Sequence, residues 1–295
     1  MSVPDGEDAF ALDARRVRAA FERASCGYDA ASLLQTRVRA ELLQRLQFFK
    51  LQPTVVLDLG AGTGAAASAL VAAYPRARVI ALDSSPGMLR AAAKKSRLFR
   101  RFARVRADAE RLPLATASVD LVFSNLLLHW LSDLKPALAE VRRVLKSGGL
   151  FACSTLGPDT LKELRAAWAQ ADDYSHIHRF LDLHDVGDAL VRAGFAEPVL
   201  DSERVASSYP DVNALLRDLQ AMGSQNAARA RPRGLMGRAR LARLRGAYEA
   251  FRQGTRLPAS FEVLYASSWG QAVTPTAAVV AGEAHVPVSA IRRRT

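Results

Sequence analysis

The spacing of apolar and polar positions divides the chain into a helical opening, an alternation of short strands and helices, and a long polar return. Residues 13–26 predict a helix, with Val17, Phe21 and Ala24 at i, i+4 and i+7. Gly27 interrupts it, and a second helix over 31–49 carries Leu34, Val38, Leu42, Leu46 and Phe49 along one stripe. From Pro53 the pattern changes. Apolar runs at 54–59, 79–83, 104–108, 119–125 and 150–155 predict five strands, with helical stretches between them. Ser85 and Pro86 open one of these helices as N-cap and first residue, and Gly148-Gly149 stops another. A helix over 181–193 and strands over 194–200 and 261–267 follow. Strands alternating with helices in this way imply an α/β fold: a doubly wound, seven-stranded, mostly parallel sheet of Rossmann-like type. The stretch 201–260 is helical in pattern, rich in Arg and far too long for a hairpin turn. It reads as a lid inserted before the last strand. The expected organisation is an N-terminal helical cap over 1–52, a core over 53–200, the lid over 201–260, and a last strand and tail over 261–295, where 286–291 could form a short extra strand.

Composition adds limits. With 295 residues, 49% hydrophobic and 24% charged, the chain suits one large globular unit with appendages. No apolar run approaches the roughly 20 residues that span a bilayer. The acidic start, 1–8, is not a signal peptide, and Asp13, Glu22 and Asp29 argue against an Arg-rich mitochondrial presequence. Cys26 and Cys153 imply no disulfide framework, so a reducing, cytoplasmic setting is expected. The net charge of +12, with two Lys and five Arg within 91–106, favours an acidic partner: nucleic acid, an anionic membrane surface or an acidic protein.

The chemistry concentrates at strand ends. Asp58 closes the first strand, and Gly60, Gly62 and Gly64 follow at alternate positions before the Ala-rich helix 65–73. Glycine permits a sharp turn and a close approach of ligand to backbone. The spacing fits two cofactor classes. Gly60, Gly62 and Ala65 satisfy a loose dinucleotide fingerprint. Asp58, Gly60, Gly62 and Gly64 also satisfy the D-x-G-x-G-x-G loop of class I S-adenosylmethionine (AdoMet) methyltransferases. Asp83 ends the second strand 19 residues past Gly64, where a carboxylate grips a ribose diol and would repel the 2′-phosphate of NADP. Asp108-Ala109-Glu110 ends the third strand, where an acid can accept from an adenine amino group. The fourth strand runs into Asn125-Leu126-Leu127-Leu128-His129-Trp130.

Taken together, the glycine loop, Asp83, the Asp108-to-Pro113 stretch and the 125–130 run resemble a class I AdoMet-dependent methyltransferase. The flanks are similar to one branch of it, the malonyl-[acyl-carrier protein] O-methyltransferases of biotin synthesis. The resemblance is carried by Val17, Phe21, Tyr28-Asp29 and Gln35, by Ser154-Thr155-Leu156-Gly157-Pro158-Asp159-Thr160-Leu161, by His178-Arg179-Phe180, by His184-Asp185 with Gly187-Asp188, and by Leu257-Pro258 with Glu262-Val263 and Tyr265. It covers about residues 13 to 270. One departure is Ser224, in Met222-Gly223-Ser224-Gln225-Asn226, where the family often has Ala.

The resemblance implies methylation of the free carboxylate of a malonyl thioester. A carboxylate is ionised near neutral pH and needs no general base, so alignment carries the catalysis. By matching position, Asp58, Gly60, Ala61, Gly62 and Gly64 hold the methionine end of AdoMet, Asp83 and Ser84 the ribose, and Asp108, Ala109 and Met88 the adenine. Tyr28 and Gln35 cover the cofactor, and Asn125 lies beside the methyl group. Tyr28, His129, Trp130 and Arg179 are the positioning candidates, and no residue is assigned as an acid or base. His176, His178, His184 and Asp185 match the family pattern, so no metal is expected. The partner implied is an acidic acyl-carrier protein, with no membrane, and Arg229, Arg231, Arg233, Arg238, Arg240, Arg243 and Arg245 are candidate docking charges. Three other readings share the cofactor half: a complex I assembly factor linked to arginine modification, a nucleic-acid methyltransferase, and a non-catalytic AdoMet-binding scaffold. The second lacks its amino-methylating signature, since Ser124-Asn125-Leu126-Leu127 stands in that place. If Arg179 pairs the malonyl carboxylate, Arg179→Ala raises the KM for the malonyl substrate sharply in steady-state assays, and unchanged kinetics refute the pairing.

Overall fold

The computed structural model describes residues 11–96, 101–229, 231, 237–270, 279–280 and 283–284. The chain opens with α1 (Ala14–Ala24), a one-turn α2 (Tyr28–Ala31) and α3 (Leu33–Arg45), which tightens into a 3-10 turn over Leu46–Phe48. The core then alternates: β1 (Val55–Leu59), α4 (Ala65–Ala73), β2 (Arg78–Asp83), α5 (Pro86–Ala93), β3 (Ala103–Arg106), β4 (Val119–Asn125), α6 (Leu134–Val144) and β5 (Leu145–Leu156). After α7 (Lys162–Ala171) and α8 (Leu183–Arg192) come β6 (Phe195–Tyr209), α9 (Val212–Ala221), α10 (Arg238–Glu249) and β7 (Leu257–Gly270).

The seven strands form one sheet in the order β3-β2-β1-β4-β5-β7-β6. The first five are parallel, while β7 runs antiparallel between β5 and β6. Strand order reverses between β1 and β4, so the chain leaves their carboxyl ends in opposite directions and opens a crevice there. Both faces of the sheet are covered. One core gathers Val56, Leu70, Phe123 and Leu150 with Val38 and Leu42 of α3 and Phe261 of β7. The other gathers Leu57, Leu82, Val122 and Phe151 with Leu138 and Val141 of α6 and Leu190 of α8. Alternate residues of each strand thus feed opposite cores, which explains why the central strands read as continuous apolar runs.

Several boundaries differ from the sequence expectation. Gly148-Gly149 do not stop a helix: α6 ends at Val144 and the two glycines lie within β5, which starts at Leu145 rather than 150. The last two strands are longer, pairing from Phe195↔Gly270 to Tyr209↔Leu257. The lid therefore begins after Tyr209 and ends before Leu257, not at 201 and 260. The outer half of β6 is polar because β6 is an edge strand. Its partner supplies the apolar alternation: Leu257, Ala259, Phe261 and Val263 are all buried. The expected helix over 31–49 is shortened by the 3-10 turn and by Ser32 as N-cap. The extra strand expected over 286–291 and Arg233 lie outside the described residues.

Cap and lid are stitched to each other and to the core. Leu12 pairs with Ala228 in an antiparallel bridge, and Asp13 N–H donates to the Ala227 carbonyl at 2.9 Å. Glu22 of α1 accepts from Ser85 Oγ, the Gly87 N–H and Arg90, each at 2.6 Å, which fastens α1 over the N-terminus of α5. From the lid, Arg243 Nε donates to the Ala171 carbonyl at 2.9 Å and Arg240 pairs with Asp172 at 2.9 Å.

Gly64 and Gly62 separate two reasons for glycine. Both have positive φ, +75° and +52°. A Cβ on Gly64 would lie 2.8 Å from the Ala92 side chain, whereas one on Gly62 would meet nothing within 4 Å. Gly64→Ala is expected to cost about 2–3 kcal/mol and Gly62→Ala about 1 kcal/mol, the conformational term alone. Chemical denaturation of the two variants checks the order, and equal losses would refute the packing argument.

Candidate active site

The crevice opens into a cavity of about 600 Å³ under α1, α2 and the lid, a size that suits a cofactor with a small substrate. Its floor is the glycine loop. The Gly60 and Ala61 N–H groups both donate to the Leu82 carbonyl at 2.9 Å, so the loop folds back on the end of β2. The Gly62 N–H donates to Asp83 Oδ2 and the Ser85 N–H to Asp83 Oδ1, each at 2.8 Å. Burial raises the Asp83 carboxyl, and these N–H groups work against the rise. Thr63 Oγ1 donates to Asp29 Oδ1 at 2.6 Å, and Lys95 pairs with the other oxygen of Asp29 and donates to the Thr63 carbonyl. The loop is therefore clamped from the cap side as well.

Most of the expected cofactor residues line this cavity: Tyr28, Gln35, Gly60, Gly62, Asp83, Ser84, Met88, Asp108, Ala109 and Asn125. Asp58, Ala61 and Gly64 do not. Asp58 is buried behind the loop with Oδ2 unpartnered. Burial pushes its carboxyl up to about 7, an effect opposed by the Ala67 N–H in the first turn of α4 and reinforced by the charge of Asp83. Tyr28 lies near Asp83, and burial, then the Asp83 and Asp29 charges, raise its phenol. Asn125 bridges cap and sheet: Nδ2 donates to the Gln35 carbonyl at 3.2 Å and Oδ1 accepts from Ser154 Oγ at 3.0 Å. Next to it, Leu126 is held at φ +56°, a strained backbone of the kind that marks functional turns.

The far wall is aromatic. Trp130 meets Phe21 edge-on at 5.2 Å and His178 at 5.1 Å, and Phe180 lies 4.7 Å from His178 and 5.9 Å from His129. His178 is buried with Nε2 unpartnered, and burial pulls its imidazole down to about 4, against a hydrogen bond to the His129 backbone. Burial, with His178 adding to it, holds His129 well below its ordinary value. Both rings are neutral at physiological pH and are weak bases. Arg179 is exposed and is not among the lining residues, although its neighbours His178 and Phe180 are. His176 is stacked on Trp168 and bonded to Asp172 at 2.8 Å, while His184 is exposed on α8.

Sequence reasoning missed several lining residues. Arg18 reaches Asp108 at 3.5 Å, with its Nε buried and unpartnered. It sits on one stripe with Ala14, Val17 and Phe21, where a cation among apolar residues was the available signal. Asn213, Leu216, Arg217 and Gln220 of α9 also face the cavity at helical spacing. That stripe was legible only once α9 had been separated from the rest of the Arg-rich stretch.

Comparison with known proteins places this site. Residues 57–153, which span the glycine loop and β1 to β5, match the methyltransferase domain family. The chain is 52% identical to a malonyl-[acyl-carrier protein] O-methyltransferase of Methylovorus sp., covering 89% of this chain and 90% of that protein. It is 50% identical to the one of Laribacter hongkongensis (91% and 93% covered) and 45% identical to the one of Halorhodospira halophila (97% and 98% covered). The chain belongs to the malonyl-[acyl-carrier protein] O-methyltransferase family. Among solved structures, the YcgJ protein of Bacillus subtilis aligns with a TM-score of 0.55 at 19% identity, covering 78% of this chain and 98% of that one. A SAM-dependent methyltransferase of Thermotoga maritima aligns with a TM-score of 0.51 at 19% identity, covering 86% and 100%. These two share the fold. The enzyme is an AdoMet-dependent methyltransferase of class I, and the residues present fit that cofactor. Gly62 leaves open space where a side chain would stand, and Gln35 Oε1 is a buried acceptor without a donor. No helix among the described residues is long and apolar enough to cross a membrane.

The buried imidazole gives a pH signature. His178 has a folded-state pKa of about 4 against an ordinary 6.5, so between those values the unfolded chain binds more protons. Its contribution is intact above pH 6.5 and is lost as pH falls toward 4. Asp58, raised to about 7, tilts the total the other way, so a difference measurement is required. Between pH 7 and pH 4.5 the wild type should lose about 2 kcal/mol more than His178→Gln does. Denaturant titrations at the two pH values check this, and equal losses would refute it.

Proposed function

We propose that this enzyme methylates the free carboxylate of a malonyl group presented by an acidic acyl-carrier protein, giving the methyl ester that starts biotin synthesis. The observation that carries the reading is the wall of weakly basic and aromatic rings beside Asn125. Beyond Asn125 the lining carries His129, Trp130, His178 and Phe180; these two imidazoles are weak bases held by burial, and the third lining histidine, His176, is stacked on Trp168 and tied to Asp172. A hydroxyl or amine acceptor must shed a proton, whereas a carboxylate attacks as it stands.

AdoMet supplies a methyl group made electrophilic by its sulfonium. The chain's own residues would hold and screen it. The loop backbone at Gly60 and Gly62 approaches closely, Gln35 Oε1 accepts from the amino-acid end, and Asp83 with Ser84 takes the ribose hydroxyls. Asp108, Ala109 and Met88 flank the adenine, and Tyr28 covers the site from the cap. Asp58 acts from behind, fixing the junction of β1 with α4. Trp130 and Phe180 exclude water. Orientation within this wall supplies proximity, the main source of rate here.

Partner recognition rests on the basic lid. Arg240 and Arg243 are engaged with Asp172 and the Ala171 carbonyl, so they build the lid. Arg229 and Arg238 are exposed and remain as docking charges for an acidic carrier, beside Arg245, which is exposed but held to Asn213. Such contacts raise the association rate and weaken with salt. The test is transfer of labelled methyl from AdoMet to malonyl-carrier protein beside its acetyl counterpart. Label on the malonyl species alone is expected. Label on both, or on neither while AdoMet is bound, would overturn the carboxylate reading.

A further inference from the structure

Among the described residues the cavity lining contains two cations, Arg18 and Arg217. Arg18 is paired with Asp108. Arg217 lies on α9, exposed at the rim, on the stripe it shares with Asn213, Leu216 and Gln220. From α10, Arg245 places Nε and Nη2 at 3.2 and 3.0 Å from Asn213 Oδ1. One guanidinium, from α10, is thus fixed to Asn213, and a second, Arg217, follows Asn213 by one turn of α9 on the cavity lining. The acids at the two ends of this stripe are engaged, and the Asp211 carboxyl, lowered first by the Ala214 N–H, also feels the charge of Arg217. Asp211 caps α9 through the Ala214 N–H at 2.9 Å, and Asp218 accepts from the Tyr209 hydroxyl at 2.7 Å. Inward of the rim the lining turns apolar, with Leu216, Leu219, Leu241 and Phe261, broken by the amide of Gln220.

We propose that Arg217 and Arg245 bind the phosphate of a phosphopantetheine arm, and that the stripe Asn213-Leu216-Gln220 guides the rest of that arm into the cavity. The inference rests on the malonyl-thioester reading above and adds to it the group that the lid reads. The chemistry of the arm follows the wall. Its thioester end enters the neutral interior, its apolar and amide segments pass Leu216 and Gln220, and its phosphate stops where the cations are. Guanidinium suits phosphate because its planar fork donates two parallel, charge-assisted hydrogen bonds. A carboxylate about to receive a methyl group belongs deeper, beside Asn125 and His129, where the lining is neutral. Phosphopantetheine occurs on carrier proteins and in coenzyme A, so the rim reads a feature common to both, and discrimination between them falls to the wider basic surface.

The experiment compares malonyl-pantetheine, malonyl-phosphopantetheine, malonyl-coenzyme A and malonyl-carrier protein with wild type, Arg217→Gln, Arg217→Lys and Asn213→Ala. The wild type should prefer the three phosphorylated arms over malonyl-pantetheine by about tenfold in KM, the worth of about 1.4 kcal/mol. Arg217→Gln should erase that preference with kcat little changed and with malonyl-pantetheine unaffected. Arg217→Lys should restore part of it, and Asn213→Ala should weaken it by releasing Arg245. An equal rise in KM for malonyl-pantetheine would assign Arg217 to the carboxylate or to lid structure and overturn the proposal. Calorimetric binding of phosphopantetheine and pantetheine themselves does not depend on turnover. Phosphopantetheine binding no better than pantetheine refutes the phosphate site even where methylation is seen. Tighter binding that Arg217→Gln abolishes supports the site even if no malonyl thioester is methylated, in which case the malonyl reading is the one that fails.

Discussion

The hydrogen bond from the Gly62 N–H to Asp83 is the contact on which the site depends. It ties the loop after β1 to the end of β2 at 2.8 Å, next to the crevice that opens between β1 and β4. A half-buried carboxylate at that point needs donors, and the backbone supplies them from the loop itself and from Ser85. The loop can meet this demand only because its glycines accept positive φ. Without the loop's N–H the acid would lose a partner, and without the acid the loop would lose its anchor. The same acid then faces the cavity with lone pairs to spare, so one group both shapes the floor and offers itself to a ligand.

Above this floor the roof has two sources. The cap contributes α1 and α2, and the insertion between β6 and β7 contributes α9 and α10. Neither stands alone. The Leu12–Ala228 bridge joins them, Phe21 of α1 meets Trp130 from the core, and Gly223 lets the lid approach Phe21, since a Cβ there would lie 3.2 Å from the ring. The two halves of the roof are coupled through contacts that are close in space and some 200 residues apart in sequence. A ligand entering past the roof must separate or bypass these contacts, so entry and closure involve both segments together.

The sheet was legible because its central strands are buried on both faces and read as unbroken apolar runs. The cofactor floor was legible because glycine spacing and strand-end acids are local signals. Tyr28 and Gln35 were reachable only through resemblance, since nothing in their neighbours' periodicity points at a cavity. The long edge pair was hidden. Residues 201–209 alternate weakly because one side of β6 meets solvent, with Asp201 and Glu203 held by Arg45 and Arg37 of α3. Arg-rich composition suggested docking charges throughout the lid, yet Arg240 and Arg243 are structural. Composition counts charges and cannot tell a guanidinium bound to Asp172 from one left in solvent. The placement of Arg179 was hidden for the same reason: alternate residues in an irregular segment face opposite ways, and His178 and Phe180 take the inward side.

The distribution of charge fits the reaction better than an evenly basic cavity would. Joining an anionic carboxylate to a methyl group carried on a cation removes both charges, and such a step is favoured where the surroundings are dry and neutral. A deep arginine would hold the carboxylate firmly and lower its nucleophilicity, whereas the neutral rings of His129 and His178 do neither. Binding energy must then come from elsewhere on the substrate. Remote groups can supply it without stabilising the reacting anion, and on the reading proposed above the arginines of the lid and its rim are placed to meet them. On the proposed reading, selectivity and catalysis occupy different parts of one cavity: an interior of neutral rings that exposes the carboxylate, and a basic rim that selects the arm bearing it.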